Sequence, residues 1–113
     1  MYVAAFVTDK PGVAQVRSDT REAFQAYLRD HPAHPGVVVH HGGPTLADDG
    51  ESAVGLLLVM EASSLDEARA FVADSPYARA DVFAECDLRA WDWTTGRPGQ
   101  EPSAEGASPT PDA

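Results

Sequence analysis

Two adjacent histidines, His40 and His41, are the side chains of this sequence best suited to proton transfer. An imidazole changes its charge near neutral pH, and histidine is the residue most often used for general acid–base catalysis. Three valines precede the pair, so residues 37 to 41 have the composition of a short strand. Because side chains alternate along a strand, we predict that one imidazole faces the helices and the other faces away from them. Either one could enter a ligand cleft.

Two further histidines, His31 and His34, raise the question of a zinc site, since imidazole is a common zinc ligand. They lie in a proline-containing loop, however, and no cysteine is near them. Their spacing fits none of the short zinc motifs. The sequence therefore predicts neither a metal site nor an organic cofactor.

The composition limits the partners that the protein is expected to have. Eighteen acidic and eight basic side chains give a formal charge of −10 in 113 residues, and no basic stretch is long enough to neutralise a row of phosphates. We therefore expect no nucleic-acid partner. We expect no membrane partner either, because no apolar run approaches the length of a membrane span. The N-terminus has no signal-peptide pattern, and a single cysteine cannot form an internal disulfide, so a cytoplasmic location is predicted.

Hydrophobic periodicity predicts four strands and two helices in the order βαββαβ. The predicted strands cover residues 2–8, 37–41, 53–61 and 82–93, and the predicted helices cover residues 19–30 and 64–73. Each helix begins at a capping signal, Asp19-x-x-Glu22 in the first and Ser64-x-x-Glu67 in the second. This order is typical of a ferredoxin-like α+β fold, in which both helices lie on one face of an antiparallel sheet.

Strands one and three are apolar on both faces, although the helices can cover only one. A second copy packed sheet to sheet, as in a dimeric α/β barrel, would cover the other face, so we predict a homodimer. A ligand cavity is the alternative explanation for the apolar strands. The predicted domain spans residues 1–93. Residues 94–113, rich in Pro, Gly, Ser and Ala, are predicted to form a disordered tail.

Four short motifs occur in a fixed order along the chain. They are Thr8-Asp9-Lys10-Pro11-Gly12, then Arg21-x-x-Phe24-x-x-Tyr27-Leu28, then Gly42-Gly43-Pro44 ahead of an Asp-Asp-Gly loop, and finally Ser75-Pro76-Tyr77-Ala78-Arg79-Ala80. Together they resemble the YCII-related (YciI-like) family over about residues 1–93. The resemblance implies a ferredoxin-like fold, a dimer and a small-molecule cleft. It also implies enzymatic relatives that act as lyases, isomerases or dehalogenases of ring compounds.

The sequence departs from this family at two positions that matter for chemistry. Members typically have Arg-Pro-Ala-His on the first helix, whereas this chain has Arg21-Glu22-Ala23-Phe24, and phenylalanine cannot carry a proton. The family's Asp-Pro-Tyr is Ser75-Pro76-Tyr77 here, with Asp74 one position earlier. The family's His and Asp are therefore both missing, and the mechanism implied by the resemblance does not carry over.

Another group must supply proton transfer if the protein is an enzyme. We predict that His40 does so, with Tyr77 and Arg21 orienting a substrate oxygen. The alternative is a strand-end histidine without a function. The predicted substrate-binding residues are Phe24, Tyr27, Asp74, Ser75 and His41.

Phe24 itself has two interpretations. It could be ordinary core on the same helical stripe as Tyr27 and Leu28. It could also be a pocket wall, which would favour a flat aromatic ligand through area burial and stacking. Trp91 and Trp93 could contribute to such a pocket or pack at the dimer interface.

These observations predict a small-molecule enzyme of the lyase, isomerase or cyclase type. Its substrate would be an aromatic or polyketide-like compound of secondary metabolism, and its chemistry would be cofactor-free acid–base catalysis. The alternative is a non-catalytic binding or accessory protein that retained the fold, and a third possibility is a structural dimer without a cleft. An ionisable group lining a cleft beside Phe24 would favour the enzyme.

Overall fold

The computed structural model describes residues 1–97 and 99. Four strands form one antiparallel sheet in the order β2-β3-β1-β4. The strands are β1 (Tyr2–Asp9), β2 (Val38–Leu46), β3 (Ala53–Glu61) and β4 (Phe83–Trp91), and the helices are α1 (Ala14–Arg29), α2 (Leu65–Ala73) and the single turn α3 (Pro76–Arg79). The strand order and connectivity confirm the predicted ferredoxin-like α+β fold.

The core lies between the sheet and helices α1 and α2. Alternate side chains of β1 face this layer, and Val3, Ala5 and Val7 are at most 1% exposed. Their partners in β3 are Met60, Leu58 and Leu56. Phe71 of α2 and Phe24 of α1 pack onto this surface as part of the same cluster. The period-two pattern of the strands and the apolar stripes of the helices therefore produce a single core.

Helix α1 begins at Ala14, five residues before the predicted start at Asp19. Asp19 does not cap the helix, since it lies within it and accepts a hydrogen bond from Gln15 Nε2 at 2.8 Å. The preceding residue, Val13, provides no side-chain cap. The prediction of a helix from residue 19 was therefore wrong, and the longer helix includes Arg17.

Strand β2 continues past His41 to Leu46, although Gly42-Gly43-Pro44 was predicted to end it. Pro44 pairs with Leu56 of β3. A proline is tolerated here because β2 is an edge strand, where one side of the backbone needs no partner. Strand β3 has the predicted bounds, and β1 and β4 differ from theirs by one or two residues at an end.

Ser64 is the N-cap of α2, as predicted, but the returning bond of Glu67 comes from Ser63 and not from the Ser64 amide. Ser64 Oγ accepts a hydrogen bond from the Glu67 amide at 3.1 Å, and the Glu67 carboxylate accepts one from the Ser63 amide at 2.7 Å. The hydrogen bonds from Ser63 hold the pKa of Glu67 below its usual value. The turn α3 was not predicted. Ser75 caps it, because its hydroxyl accepts from the Ala78 amide and donates to the Val72 carbonyl.

The sheet face opposite the helices, called the open face below, is covered by no element of the described chain. Phe6 is 58% exposed there, opposite the exposed Leu57 of β3 and Asp87 of β4. Val38 and Trp91 are exposed at the other end of the same face, beside the Tyr2–Glu61 pair. Of the predicted tail, only residues 94–97 and 99 are described, and the rest of that prediction lies outside the described residues.

Within residues 1–97 and 99, no helix combines the length and the apolar character needed to cross a membrane.

Candidate functional site

A cleft of about 250 Å³ opens between α1, the α3 turn and strands β2 and β3. Its floor is formed by two stacked aromatic rings, Phe24 and Tyr77, whose centroids lie 4.2 Å apart with planes inclined by 19°. Both residues are buried. Both residues line the cleft, with 4% of Phe24 and 2% of Tyr77 exposed.

Arg17 connects this floor to the sheet. Its Nε donates to Asp9 Oδ2 at 2.7 Å and its Nη2 donates to the Gly55 carbonyl at 2.7 Å. The guanidinium carbon lies 4.8 Å from the centroid of the Tyr77 ring, within the range of a cation–π contact. The Arg17 side chain is 12% exposed and that of Asp9 is 5% exposed, so this is a buried ion pair. Arg17 thereby links helix α1 and the cleft floor to strands β1 and β3.

The Asp9 carboxylate depends on Arg17 for its charge balance. Its second oxygen, Oδ1, is the one buried side-chain oxygen or nitrogen without a hydrogen-bond partner among the described residues. A buried charge is costly unless it is paired. Arg17 supplies that pairing through a single short bond.

Arg21 lies one helical turn beyond Arg17 and lines the same cleft. Within the described part of the chain, neither its guanidinium group nor the Tyr77 hydroxyl has a hydrogen-bond partner. The two groups are therefore free to donate to a ligand. Glu51, from the connection between β2 and β3, adds a carboxylate to the lining.

The comparisons with known proteins agree with this architecture. A family model, the YCII-related domain, matches residues 1–92. The chain belongs to the YCII-related family. Among solved structures, it is similar to 5-chloro-2-hydroxyhydroquinone dehydrochlorinase (TftG) from Burkholderia phenoliruptrix AC1100, in complex with 2,5-dihydroxybenzoquinone, with 35% identity, a TM-score of 0.68, and coverage of 81% of this chain and 94% of that chain. The resemblance seen in the sequence is confirmed.

A second solved structure, At3g17210 from Arabidopsis thaliana, aligns with 10% identity and a TM-score of 0.49, covering 83% of this chain and 95% of that chain. The comparison with curated proteins gives no match.

The two histidines of the YCII-related chain do not alternate as predicted. Val39 pairs with Met60 and His41 pairs with Val59, which leaves His40 as the extra residue of a β-bulge. Both imidazole rings pack against Trp93, each with a centroid distance of 5.6 Å.

These histidines lie on the open face. Tyr2 also packs against Trp93, at a centroid distance of 5.3 Å, and its side chain points away from the core because its neighbour Val3 points into it. His40 Nε2 lies 3.1 Å from Glu61 Oε1. The expectation that one imidazole faces the helices was therefore wrong, and neither His40 nor His41 lines the cleft.

Three other predicted binding residues also lie outside the cleft lining. The Tyr27 hydroxyl donates to the Phe71 carbonyl at 2.7 Å, and Asp74 Oδ2 lies 2.6 Å from His34 Nε2. Ser75 is 2% exposed and bonds to backbone groups through its hydroxyl. The Tyr27 hydrogen bond holds α1 against α2. The contacts of Asp74 and Ser75 hold the segment before β2 and the start of α3 against the end of the same helix. Of the eight predicted site residues, the cleft brings together Arg21, Phe24 and Tyr77.

His31 and His34 have structural contacts in the YCII-related domain. The His31 ring bridges the carbonyl oxygens of Tyr27 and Val37, at 2.9 and 2.8 Å. Among residues 1–97 and 99, no group of three or more His, Cys, Asp or Glu side chains is arranged to hold a metal ion.

Sequence reasoning missed Asp9, Arg17 and Glu51. The sequence did contain a signal for Arg17, because it lies four residues before Arg21, but the predicted helix began too late to include it. Asp9 was named only as part of the motif Thr8-Asp9-Lys10-Pro11-Gly12, without a role in the site. Glu51 was assigned to a polar loop, and nothing in that loop's composition indicates that it borders a cleft.

Burial of the Tyr27 hydroxyl gives a testable pH dependence. Desolvation, with a smaller contribution from Asp74, raises the pKa of Tyr27 from 10.0 to about 12. A folded-state pKa above the unfolded value contributes stability that is complete below pH 10 and is lost as the pH rises towards 12. We expect the difference in free energy of unfolding between the wild type and Tyr27→Phe, measured by urea denaturation, to shrink over this range. A difference that stays constant from pH 8 to pH 12 would contradict this assignment.

Proposed function

We propose that this YCII-related protein is a small-molecule enzyme that acts on a hydroxylated aromatic ring by cofactor-free acid–base chemistry. The observation that carries the proposal is the cleft floor of Phe24 and Tyr77, with the unpartnered Arg21 and Tyr77 hydroxyl beside it. The likeness to TftG, a dehydrochlorinase of a chlorinated hydroxyhydroquinone, supports it.

The cleft suits a ring that carries an ionisable hydroxyl. Stacked aromatic side chains bind a flat ring through area burial and favourable ring geometry. Two guanidinium groups, Arg17 and Arg21, line the same space in a protein whose formal charge is −10. Nearby positive charge favours the ionised form of a bound hydroxyl. The cleft is therefore selective for an oxygen-bearing aromatic ligand rather than for a purely apolar one.

A lyase reaction of the TftG type needs only proton movements within such a site. A proton leaves a ring hydroxyl and is added to the carbon that carries chlorine, so that one carbonyl forms. A second hydroxyl then loses its proton, a second carbonyl forms, and the C–Cl bond breaks with its electron pair leaving as chloride. The net change is loss of HCl to give a hydroxyquinone, and no external oxidant is needed. Isomerase or cyclase reactions would use the same proton transfers.

The non-catalytic alternative has one observation in its favour. The sequence predicts Phe24 at the position of the family's histidine, and the Phe24 ring, which cannot carry a proton, is stacked on Tyr77. A protein of this kind would bind an aromatic ligand without changing it.

We also propose that the protein is a homodimer assembled through the open face. The exposed fractions of Phe6 and Leu57 are 58% and 39%, and they lie on adjacent strands, Phe6 opposite Leu57. Apolar side chains in the middle of a sheet face are typical of a surface that another layer covers. A cytoplasmic location and the absence of nucleic-acid and membrane partners stay predictions.

Binding of 2,5-dihydroxybenzoquinone to the purified protein tests the cleft. We expect saturable binding in calorimetry, and Arg21→Gln is expected to weaken it by about tenfold or more, because a hydrogen bond to a charged group contributes about 1.5–3 kcal/mol. Arg29→Gln is the matched control, since Arg29 is exposed at the end of the same helix and does not line the cleft.

Chloride release from 5-chloro-2-hydroxyhydroquinone distinguishes the enzyme from the binding protein. Release faster than in buffer supports the enzyme. Binding of the quinone without chloride release would favour the non-catalytic alternative. No binding at all, or equal binding by Arg21→Gln and the wild type, would contradict the proposed cleft.

A further inference from the structure

Phe24 cannot carry a proton, so another group of this cleft must move the proton of the proposed reaction. The described residues that line it include four ionisable ones, Arg17, Arg21, Glu51 and Tyr77. Guanidinium groups stay protonated in proteins and cannot act as bases. A phenolic hydroxyl is protonated at neutral pH and can donate a hydrogen bond, but it is not a ready proton acceptor. The carboxylate of Glu51 is the group that can both accept a proton and return it.

We propose that Glu51 is the proton-transfer residue of the cleft, an assignment that rests on the proposed function. It accepts the proton of a bound ring hydroxyl and then delivers it to the ring carbon that carries the leaving group. The negative charge left on the substrate oxygen is held by Arg21, whose guanidinium group has no partner among the described residues. Glu51, ionised again, then takes the proton of a second ring hydroxyl as the C–Cl bond breaks, so that chloride leaves with the electron pair and HCl is lost without a further reactant.

The base and the cations of the cleft come from different elements. Arg17 and Arg21 come from α1, whereas Glu51 comes from the connection between β2 and β3. None of the described residues forms an ion pair with Glu51, and Arg17 is already paired with Asp9. A substrate between these walls can therefore contact the base and the cations at the same time, as general acid–base catalysis with charge stabilisation requires.

The backbone at Glu51 is fixed by a neighbouring turn. Asp49 Oδ1 accepts hydrogen bonds from the amides of Glu51 and Ser52, at 2.8 and 2.9 Å, and Asp49 Oδ2 accepts one from the Ser52 hydroxyl at 2.6 Å. These bonds, the Ser52 side chain first, lower the pKa of Asp49 to about 2. Asp49 stays charged through the neutral range, so the turn is intact where the reaction would run. Asp49 is a positioning residue for Glu51.

Substitution of Glu51 tests the proposal with 5-chloro-2-hydroxyhydroquinone as the substrate. We expect Glu51→Gln to lower kcat by about 100-fold or more, the usual contribution of a general acid–base group, with little change in KM. We expect Glu51→Asp to retain part of the activity. The acidic limb of the wild-type pH–rate profile should be absent from the profile of Glu51→Gln.

Asp48→Asn is the matched control, because it removes one negative charge from the same loop at an exposed residue outside the cleft lining. It is expected to have wild-type activity. Wild-type turnover together with an undiminished kcat in Glu51→Gln would overturn the role of Glu51 and leave the proposed enzyme in place. A wild-type protein that binds 2,5-dihydroxybenzoquinone but releases no chloride would overturn both.

Discussion

Replacing Arg17 by methionine is expected to lower the free energy of unfolding by about 3–5 kcal/mol, because it leaves a buried carboxylate without its counter-charge. The Asp9 side chain is 5% exposed, and its Oδ1 has no hydrogen-bond partner among the described residues. Arg17 is therefore its one source of compensation there. Methionine keeps most of the side-chain volume, so the loss reports on charge and hydrogen bonding rather than on packing. Urea denaturation at neutral pH measures the effect.

Two further variants test whether the loss of the ion pair, rather than the loss of an arginine from α1, lowers the stability. Arg29→Met removes an exposed arginine from the same helix and is expected to change stability by less than about 0.5 kcal/mol. The double variant Asp9→Leu with Arg17→Met removes both charges and is expected to recover most of the loss. A single Arg17→Met variant as stable as Arg29→Met would show that the ion pair does not support the fold.

Replacing Phe6 by aspartate is expected to convert a dimer of the 12.0 kDa chain into a monomer. Phe6 is exposed in the middle of the open face. Burying two carboxylates in an apolar sheet-to-sheet interface would cost far more than such an interface can tolerate. Sedimentation equilibrium measures the change in mass, and circular dichroism verifies that the variant remains folded.

Val16→Asp is the matched control for the dimer. Val16 is 41% exposed on α1, away from the open face, so its substitution is expected to leave the mass unchanged. A wild-type protein that sediments as a monomer would contradict the homodimer. A dimeric Phe6→Asp variant would show that the two copies meet elsewhere.

The parts of the fold that follow local rules could be predicted from the sequence. Strand β3 was located within its observed bounds, because a continuous apolar run in the centre of a sheet contrasts with its polar flanks. The start of α2 was found at Ser64, because a capping box is a signal of four residues. The helix α1 was placed too late, since its uncapped start at Val13 provides no such signal.

The site was predicted only in part, because local sequence patterns indicate some of its residues and not the others. Arg21, Phe24 and Tyr77 were assigned to one cleft because they lie in motifs that resemble the YCII-related family, and they do line it together. One imidazole was expected on the helix side by strict alternation, but the extra residue in β2 turns His41 to the open face, where His40 also lies. Asp9 becomes a functional candidate only through its contact with Arg17 of a separate element, which no local pattern contains.

Both tryptophans of the chain, Trp91 and Trp93, lie beside each other with ring centroids 5.1 Å apart, and Trp93 contacts rings on the open face. Neither borders the cleft. Indole emission of this protein is therefore a spectroscopic label for one side of the sheet. The emission changes when the open face loses contact with water. It carries little information on ligands that enter the cleft, so an assay of cleft occupancy needs a different optical signal.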